Sequence, residues 1–464
     1  MLTDETQQAW LPDLVYLDGR FQSGRAVVCD SAGNILEIAD GNAASNAIRL
    51  PGCALLPGMV NAHSHAFQRV IRGRTERRSQ HTTDSFWTWR EQMYRAANQL
   101  GPEDIYAASR MAFLEMALTG ITAVGEFHYI HNAPGGAAYS DPNLLEREVM
   151  RAARDVGIRI ALLRVAYARA GFELDQNPLQ VRFIEESPEI FLKNLAALLD
   201  APDEMQWVGV APHSVRAVPL DYLKTIVAFA NEHDLRVHMH VAEQPAEVSA
   251  CIEEYGRSPV ALLETEGLLS KRFTAVHAIH VTPKAIGALA RGGAFVCACP
   301  TTERNLGDGV VPIDSYFDAG VRVALGTDSQ IQIDLLEDAR ELEYHLRLQK
   351  TARNVLAPAD DAAGAALARR FFDCATVNGA ASIGFGGGRL TPGGPADFFT
   401  VDLDDPSIAG ASPDDLLANI VFSLSRTAVR DVVVAGKRIV ENGRHVKQES
   451  IVEEFNTLSQ RLHG

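Results

Sequence analysis

Between Pro57 and Ser329 the chain alternates short apolar runs with longer segments whose apolar residues recur at helical spacing, the pattern of a parallel sheet with crossover helices. Eight runs have strand length: Pro57–His65, Ile121–His128, Ile158–Tyr167, Trp207–Ser214, Leu235–Glu243, Phe273–Val281, Gly293–Pro300 and Val321–Ser329. Helices are predicted between them, among them Pro102–Thr119, Leu144–Val156, Leu220–His233, Pro283–Arg291 and Leu335–Lys350. Eight alternations predict an α/β fold closed into a (β/α)8 TIM barrel rather than an open sheet. The two ends differ from this centre. Leu14 to Asp40 reads as short strands broken at Gly19 and at Ala32-Gly33-Asn34, and Asp397–Asp402 and Val432–Val446 have the same character. Two β-rich ends flanking one region predict a small β-sandwich domain formed from both chain ends.

In such a barrel the chemistry sits where the strands end. The predicted strands end in His63 and His65, in His213, in His238 and His240 with Glu243 just beyond, in His277 and His280, and in Asp328. Fourteen histidines scattered at random over 464 positions would not favour strand ends so consistently. His63 and His65 are two residues apart on a strand, so both imidazoles point to one side and can face one ion. A His-x-His pair alone says little. Joined by a third histidine and an aspartate from other strand ends, it predicts a metal site with a position left for water. Imidazoles plus a carboxylate suit Zn²⁺, and Fe²⁺ would also fit. Such an ion lowers the pKa of a bound water to about 7, so the expected nucleophile is water.

Charge narrows the partners. Lys+Arg 43 against Asp+Glu 59 leaves a net charge of −16, which repels polyanions and argues against nucleic acid. An anionic small molecule would need arginines inside the site. The six cysteines are scattered without a Cys-x-x-Cys pair, as expected of a reducing cytoplasm. Met1 to Trp10 is polar and acidic, unlike a signal peptide, and no apolar run of about 18 residues occurs, so neither secretion nor a membrane is expected.

His63-x-His65, His240-x-x-Glu243, His277 and Gly326-Thr327-Asp328 together resemble the deaminase branch of the amidohydrolase superfamily, over essentially the whole chain. The resemblance implies a barrel over 56–385 flanked by sandwich segments 1–55 and 386–464. It implies one metal ion on His63, His65, His240 and Asp328, with Glu243 passing protons to the leaving nitrogen and His277 holding the attacking water beside Asp328. The fourth strand, WVGVAPHS, ends without the lysine that bridges two metals in other members, so a single ion is expected. His238 shares a strand face with His240, but the His-x-x-Glu spacing favours His240. His128 and His280 read as supporting residues, and Cys297 and Cys299 as small buried ones. Members commonly pair as homodimers.

The segments His65-Ala66-Phe67-Gln68-Arg69, Phe86-Trp87-x-Trp89-Arg90, Glu126-Phe127-His128-Tyr129 and Ala211-Pro212-His213-Ser214-Val215-Arg216 resemble those of the members that act on N-formimino-L-glutamate in histidine breakdown. That substrate is a dianion, and guanidinium groups pair with carboxylates. The resemblance implies contacts from Arg216, Arg90, Tyr129, Gln68 and His213. The loop Thr301 to Gly309 looks like the substrate-side loop of the branch, with no role that its residues reveal. Two other readings stand beside this one. A deaminase of a nucleobase or of S-adenosylhomocysteine would present stacking aromatics without paired arginines, and Trp87 and Trp89 leave room for it. A non-catalytic barrel would carry a closed, metal-stabilised site.

Overall fold

The computed structural model describes residues 7–42, 46–77, 84–199, 203–359 and 365–464. Residues 1–6, on which the reading of the N-terminus partly rests, lie outside them.

Eight parallel strands follow one another in chain order: β1 (Met59–Ser64), β2 (Ile121–His128), β3 (Arg159–Ala166), β4 (Gln206–Pro212), β5 (Val237–Val241), β6 (Phe273–His277), β7 (Phe295–Ala298) and β8 (Arg322–Leu325). The ring is closed between its first and last strands just past β8, where Ser64 bridges Asp328. There the Asp328 N–H donates to the His63 carbonyl at 3.1 Å and the His65 N–H to the Asp328 carbonyl at 3.0 Å. All eight strands lie where the apolar runs predict them. Six are buried at every position, because helices cover one face and the barrel interior the other. Two-sided burial is why these strands read as unbroken apolar runs.

The predicted helices are also present, at Pro102–Leu118, Leu144–Val156, Leu220–Glu232, Pro283–Gly292 and Leu335–Lys350. Several helices begin on proline, including Pro102, Pro245, Pro259, Pro283 and Pro300, where the missing N–H would have had no partner anyway.

Strands β5, β6 and β8 are shorter than their apolar runs. At or within three residues beyond their ends the backbone turns left-handed at non-glycine residues: Ala242 (φ 51°), His277 (φ 66°), Ala278 (φ 49°) and Asp328 (φ 46°). Such conformations cost on the order of 1–3 kcal/mol each and collect at functional sites. All four lie at the rim where the histidines gather.

The chain ends meet in one nine-stranded sheet. Ile48–Pro57 pairs in parallel with Gln8–Leu17 on one side and antiparallel with Phe398–Asp402 on the other, so the two termini share its centre. The expected sandwich is thus one continuous sheet folded over its own core of Trp10, Val27, Leu55 and Phe398. Bonds from the Ile35 N–H to the Gly394 carbonyl and from the Ala396 N–H to the Gly33 carbonyl draw its far edge back over that core. Asp18-Gly19 and Asn442-Gly443, all at positive φ, make the tight hairpin turns that these sequences favour. The C-terminal segment also adds a helix, Gln448–His463, which the β-rich reading of that end did not include. It docks on Pro102–Leu118 through ion pairs of Glu454 with Arg110 and of Arg461 with Asp104. No helix among the described residues is long and apolar enough to cross a membrane.

A fully buried charge cluster braces β3. The Arg164 guanidinium pairs with Glu185 at 2.5 and 3.0 Å and with Glu146 at 3.2 Å, while His131 lies 2.6 Å from Glu146. Burial works to raise the Glu146 carboxyl, but Arg164 and His131 overcome it and hold it at about 2, against 4.5 when unpaired. Its folded-state pKa is depressed, so its stabilisation is full above pH 4.5 and is lost as pH falls through about 2. Glu146→Gln should therefore destabilise the protein by roughly 3–5 kcal/mol near neutrality, the cost of breaking a buried pair. Melting curves of variant and parent should converge towards pH 2. A gap that persists there would show that the charge of Glu146 is not what stabilises.

Candidate active site and metal centre

The ends of three strands, β1, β5 and β8, bring His63, His65, His240 and Asp328 together. One candidate ligand atom from each lies within 4.8 Å of all the others, and all four residues are buried. Asp328 Oδ1 is 3.3 Å from His63 Nε2 and 3.2 Å from His65 Nε2, and His65 Nε2 is 3.4 Å from His240 Nε2. Gly326 permits this approach: a Cβ there would come 2.7 Å from His63 Cβ.

The far side of each ring is anchored. His65 Nδ1–H donates to the Phe127 carbonyl at 2.8 Å and His240 Nδ1–H to the His213 carbonyl at 3.2 Å, which leaves both Nε2 lone pairs facing the group. Burial drives the imidazoles to the neutral form a ligand needs, His63 down to about 3 and His65 and His240 also lowered. Burial opposes the charge of Asp328, but His63, His277 and His65 hold its carboxyl well below the usual range.

These residues fit a cation. Both ring nitrogens of His63 are buried without a hydrogen-bond partner, a costly arrangement that an ion at Nε2 would relieve. Three imidazoles and one carboxylate oxygen are the donor set of a tetrahedral Zn²⁺-type site.

Glu243 and His277 border the group. His277 Nε2 lies 3.8 Å from Glu243 Oε1 and 3.7 Å from Asp328 Oδ2, and its ring stacks on His240 with centroids 5.5 Å apart. Burial pushes Glu243 up to about 7, with Asp328 and Glu247 adding to the shift and His277 and Arg216 opposing it. A carboxyl poised there can both take up and release a proton near neutrality.

On the adjoining wall, Arg216 donates to the Ala170 carbonyl at 3.1 Å and lies 3.5 Å from the Tyr167 hydroxyl. Tyr167 is 3.4 Å from the Tyr94 hydroxyl, and Arg90 lies over the Trp87 ring at 4.4 Å and over Tyr94 at 5.4 Å. Arg90 Nε and Nη1 are buried with no partner. Gln68 Nε2 donates to the Tyr129 hydroxyl at 2.9 Å while its Oε1 is buried and unpaired. The His213 ring links the halves, 4.8 Å from both Tyr167 and His240. All five residues expected to bind substrate thus gather beside the candidate metal group. Arg90 is half-buried, and Trp87 is stacked against its guanidinium.

Other candidates stand apart. His238 donates to the Ser382 carbonyl at 3.0 Å and His128 to the Ile130 carbonyl at 2.9 Å, outside the cluster. His280 donates to the Asp308 carbonyl at 2.8 Å and ties down the segment after β7, where most of the expected loop Thr301 to Gly309 is instead the helix Pro300–Leu306. Cys297 and Cys299 are buried as expected, and Cys299 also comes within 4.8 Å of the ligand atoms of His277 and Asp328.

Several acids act here that pattern reading did not single out. Glu303 Oε1 lies 3.2 Å from His277 Nδ1 and accepts from the Cys299 N–H at 2.9 Å. Glu247 accepts from the N–H groups of Ala242 and Glu243, holding the left-handed turn that aims Glu243. Glu126 accepts from Ser64 Oγ and the Ala66 N–H, on either side of His65. The signal for Glu247 was its place one helical turn after Glu243; for the others no sequence spacing would have served.

The profile described as "Amidohydrolase family" matches residues 54–439. A formimidoylglutamate deiminase of Pseudomonas aeruginosa is 40% identical over 426 residues, covering 91% of this chain and 92% of that one. A 5-methylthioadenosine/S-adenosylhomocysteine deaminase of Natronomonas pharaonis is 30% identical over 420 residues, covering 90% and 88%. Among solved structures, an amidohydrolase from Brucella melitensis is similar with a TM-score of 0.91 at 33% identity, covering 98% of this chain and 100% of that one.

Proposed function

We propose that this chain, which belongs to the amidohydrolase family and is a hydrolase of C–N bonds, removes the imine nitrogen of N-formimino-L-glutamate as ammonia and leaves N-formyl-L-glutamate, a step of histidine breakdown. The observation that carries this reading is the pair of arginines, Arg90 and Arg216, set within one wall beside the candidate metal group, with two buried nitrogens of Arg90 still unpaired. A substrate with two carboxylates supplies the acceptors they lack. The 40% identity to a formimidoylglutamate deiminase supports the same substrate.

His63, His65, His240 and Asp328 would hold a Zn²⁺ ion, which when bound supplies a Lewis acid and a water of lowered pKa. The protein's own residues do the rest. Arg216 and Arg90 take the carboxylates, and Gln68, Tyr129 and His213 contact the body of the substrate, fixing the formimino carbon beside Glu243. His277 and Asp328 orient the water. The water oxygen bonds to the formimino carbon, the carbon–nitrogen bond breaks, and Glu243 delivers to the departing nitrogen the proton taken from the water. Ammonia is a far better leaving group than the amide anion, so this transfer is what the step requires.

Purified protein given N-formimino-L-glutamate, guanine, cytosine and S-adenosylhomocysteine side by side should release ammonia from the first alone. Arg216→Met should raise KM for it by roughly 10- to 100-fold, the range of one charged hydrogen bond, and change kcat less. Release from a nucleobase or from S-adenosylhomocysteine instead, which the resemblance to the Natronomonas pharaonis enzyme makes the natural comparison, would replace this reading.

A further inference from the structure

The loop after β7 holds an acid for which the mechanism above has no use. Asp308 is 3% exposed, its Oδ1 accepts from Gln244 Nε2, and its Oδ2 is buried with no partner. Gln244 directly follows Glu243, so this bond ties the loop to the strand end that carries the proton-transfer residue. The backbone leaves Asp308 no freedom: its N–H donates to the Glu303 carbonyl at 3.0 Å and its carbonyl accepts from His280 at 2.8 Å. Gly309 next to it sits at φ 127°, where a side chain would be strained and a Cβ would crowd Ile279 at 3.1 Å. A rigid loop thus presents one unsatisfied carboxyl oxygen on the Glu243 side of the site. Burial and then the charge of Glu243 push the Asp308 carboxyl up to about 9, while His277 opposes the shift.

An amidine such as the formimino group is a cation at neutral pH. The arginines answer the carboxylates of the substrate, and its amidinium end needs an anion of its own. Glu243 alone serves poorly there, since it must give its proton to the leaving nitrogen. A cation beside Asp308 would favour its ionised form.

We propose that Asp308 determines specificity for a cationic amidine, receiving a formimino N–H on its free Oδ2 while Gln244 holds the other oxygen. The proposal rests on the substrate reading given above. It explains why an acid is buried here with half its acceptors unused, which a purely structural carboxyl would not require.

The test compares two ligands of one shape. N-carbamimidoyl-L-glutamate carries a cationic guanidinium, and N-carbamoyl-L-glutamate the neutral urea. Calorimetric titration of the zinc-loaded protein should show tighter binding of the cation. Asp308→Asn, nearly isosteric, should remove roughly 10- to 100-fold of that preference while metal content and affinity for the urea stay unchanged. A structural role would instead weaken both ligands together. Should Asp308→Asn not fold, Gln244→Met keeps the acid but frees it, and should erode the preference in the same direction. An undiminished preference in either folded variant, or none in the parent protein, overturns the proposal. The two readings fail separately. A parent protein inactive on N-formimino-L-glutamate brings down the substrate assignment and this inference with it, whereas an active parent with a fully discriminating variant brings down this inference alone.

Discussion

Glu243→Gln should lower kcat for ammonia release by about 100- to 10,000-fold, the usual contribution of a positioned general acid–base, with KM and metal content nearly unchanged. Glutamine keeps the shape of the side chain and can still donate a hydrogen bond, but it cannot ionise. The parent carboxyl sits at about 7 because burial disfavours its charge and Asp328 and Glu247 repel it, while His277 at 3.8 Å and Arg216 keep it from rising further. A group with that pKa is half protonated at the working pH, which favours taking a proton and returning it within one turnover. Metal content should survive because none of the four clustered ligand atoms belongs to Glu243. The pH profile gives an independent check: the limb near pH 7 in the parent should vanish in the residual activity of the variant. Turnover within a few-fold of the parent would remove Glu243 from proton transfer, whatever its place beside His277.

The sequence makes the eight strands legible for a physical reason: two-sided burial leaves them as apolar runs, and proline marks where several of the helices start. It also exposes the metal group, since His63 and His65 must share a strand face and His240 and Asp328 stand at the ends of two other runs. What it hides depends on backbone that leaves regular geometry. Runs five, six and eight extend to Glu243, Val281 and Ser329, but the strands end at Val241, His277 and Leu325, and left-handed backbone at Ala242, His277 and Asp328 aims the reactive side chains. Propensity announces such residues only weakly: aspartate and histidine are enriched at positive φ, but most of them lie elsewhere. The acids Glu247 and Glu303 sit in the first turns of helices and the unsatisfied Asp308 just beyond one, and the folded geometry shows what each faces. The folding of the terminal sheet over its own core is likewise a matter of long-range pairing, between Ile35 and Gly394 and between Gly33 and Ala396, which hairpin signals cannot reveal.

Stripping the protein of metal with a chelator should abolish turnover, and Zn²⁺ alone should restore it. His65→Ala should do the same without rescue. The expectation follows from what the four side chains face when no cation lies between them. His63 keeps both ring nitrogens buried and unpaired, and the Asp328 carboxylate lies against His63 and His65, two imidazoles that burial has driven neutral. Neutral rings give a buried charge only hydrogen bonds, whereas a divalent ion pairs with it directly and uses the nitrogen lone pairs as well. Binding to the folded state alone must stabilise it, by ~4 kcal/mol at a free-ion concentration a thousand times the dissociation constant. The melting temperature should therefore rise with added Zn²⁺ in the parent and stay flat in His65→Ala. Glu243→Gln, inactive for a different reason, should keep the full zinc-dependent rise, which separates loss of the ion from loss of the proton carrier. Full turnover by protein shown by elemental analysis to be free of metal would mean that the cluster of His63, His65, His240 and Asp328 serves something other than the reaction, and the assignment of water as the nucleophile would then need another activating group.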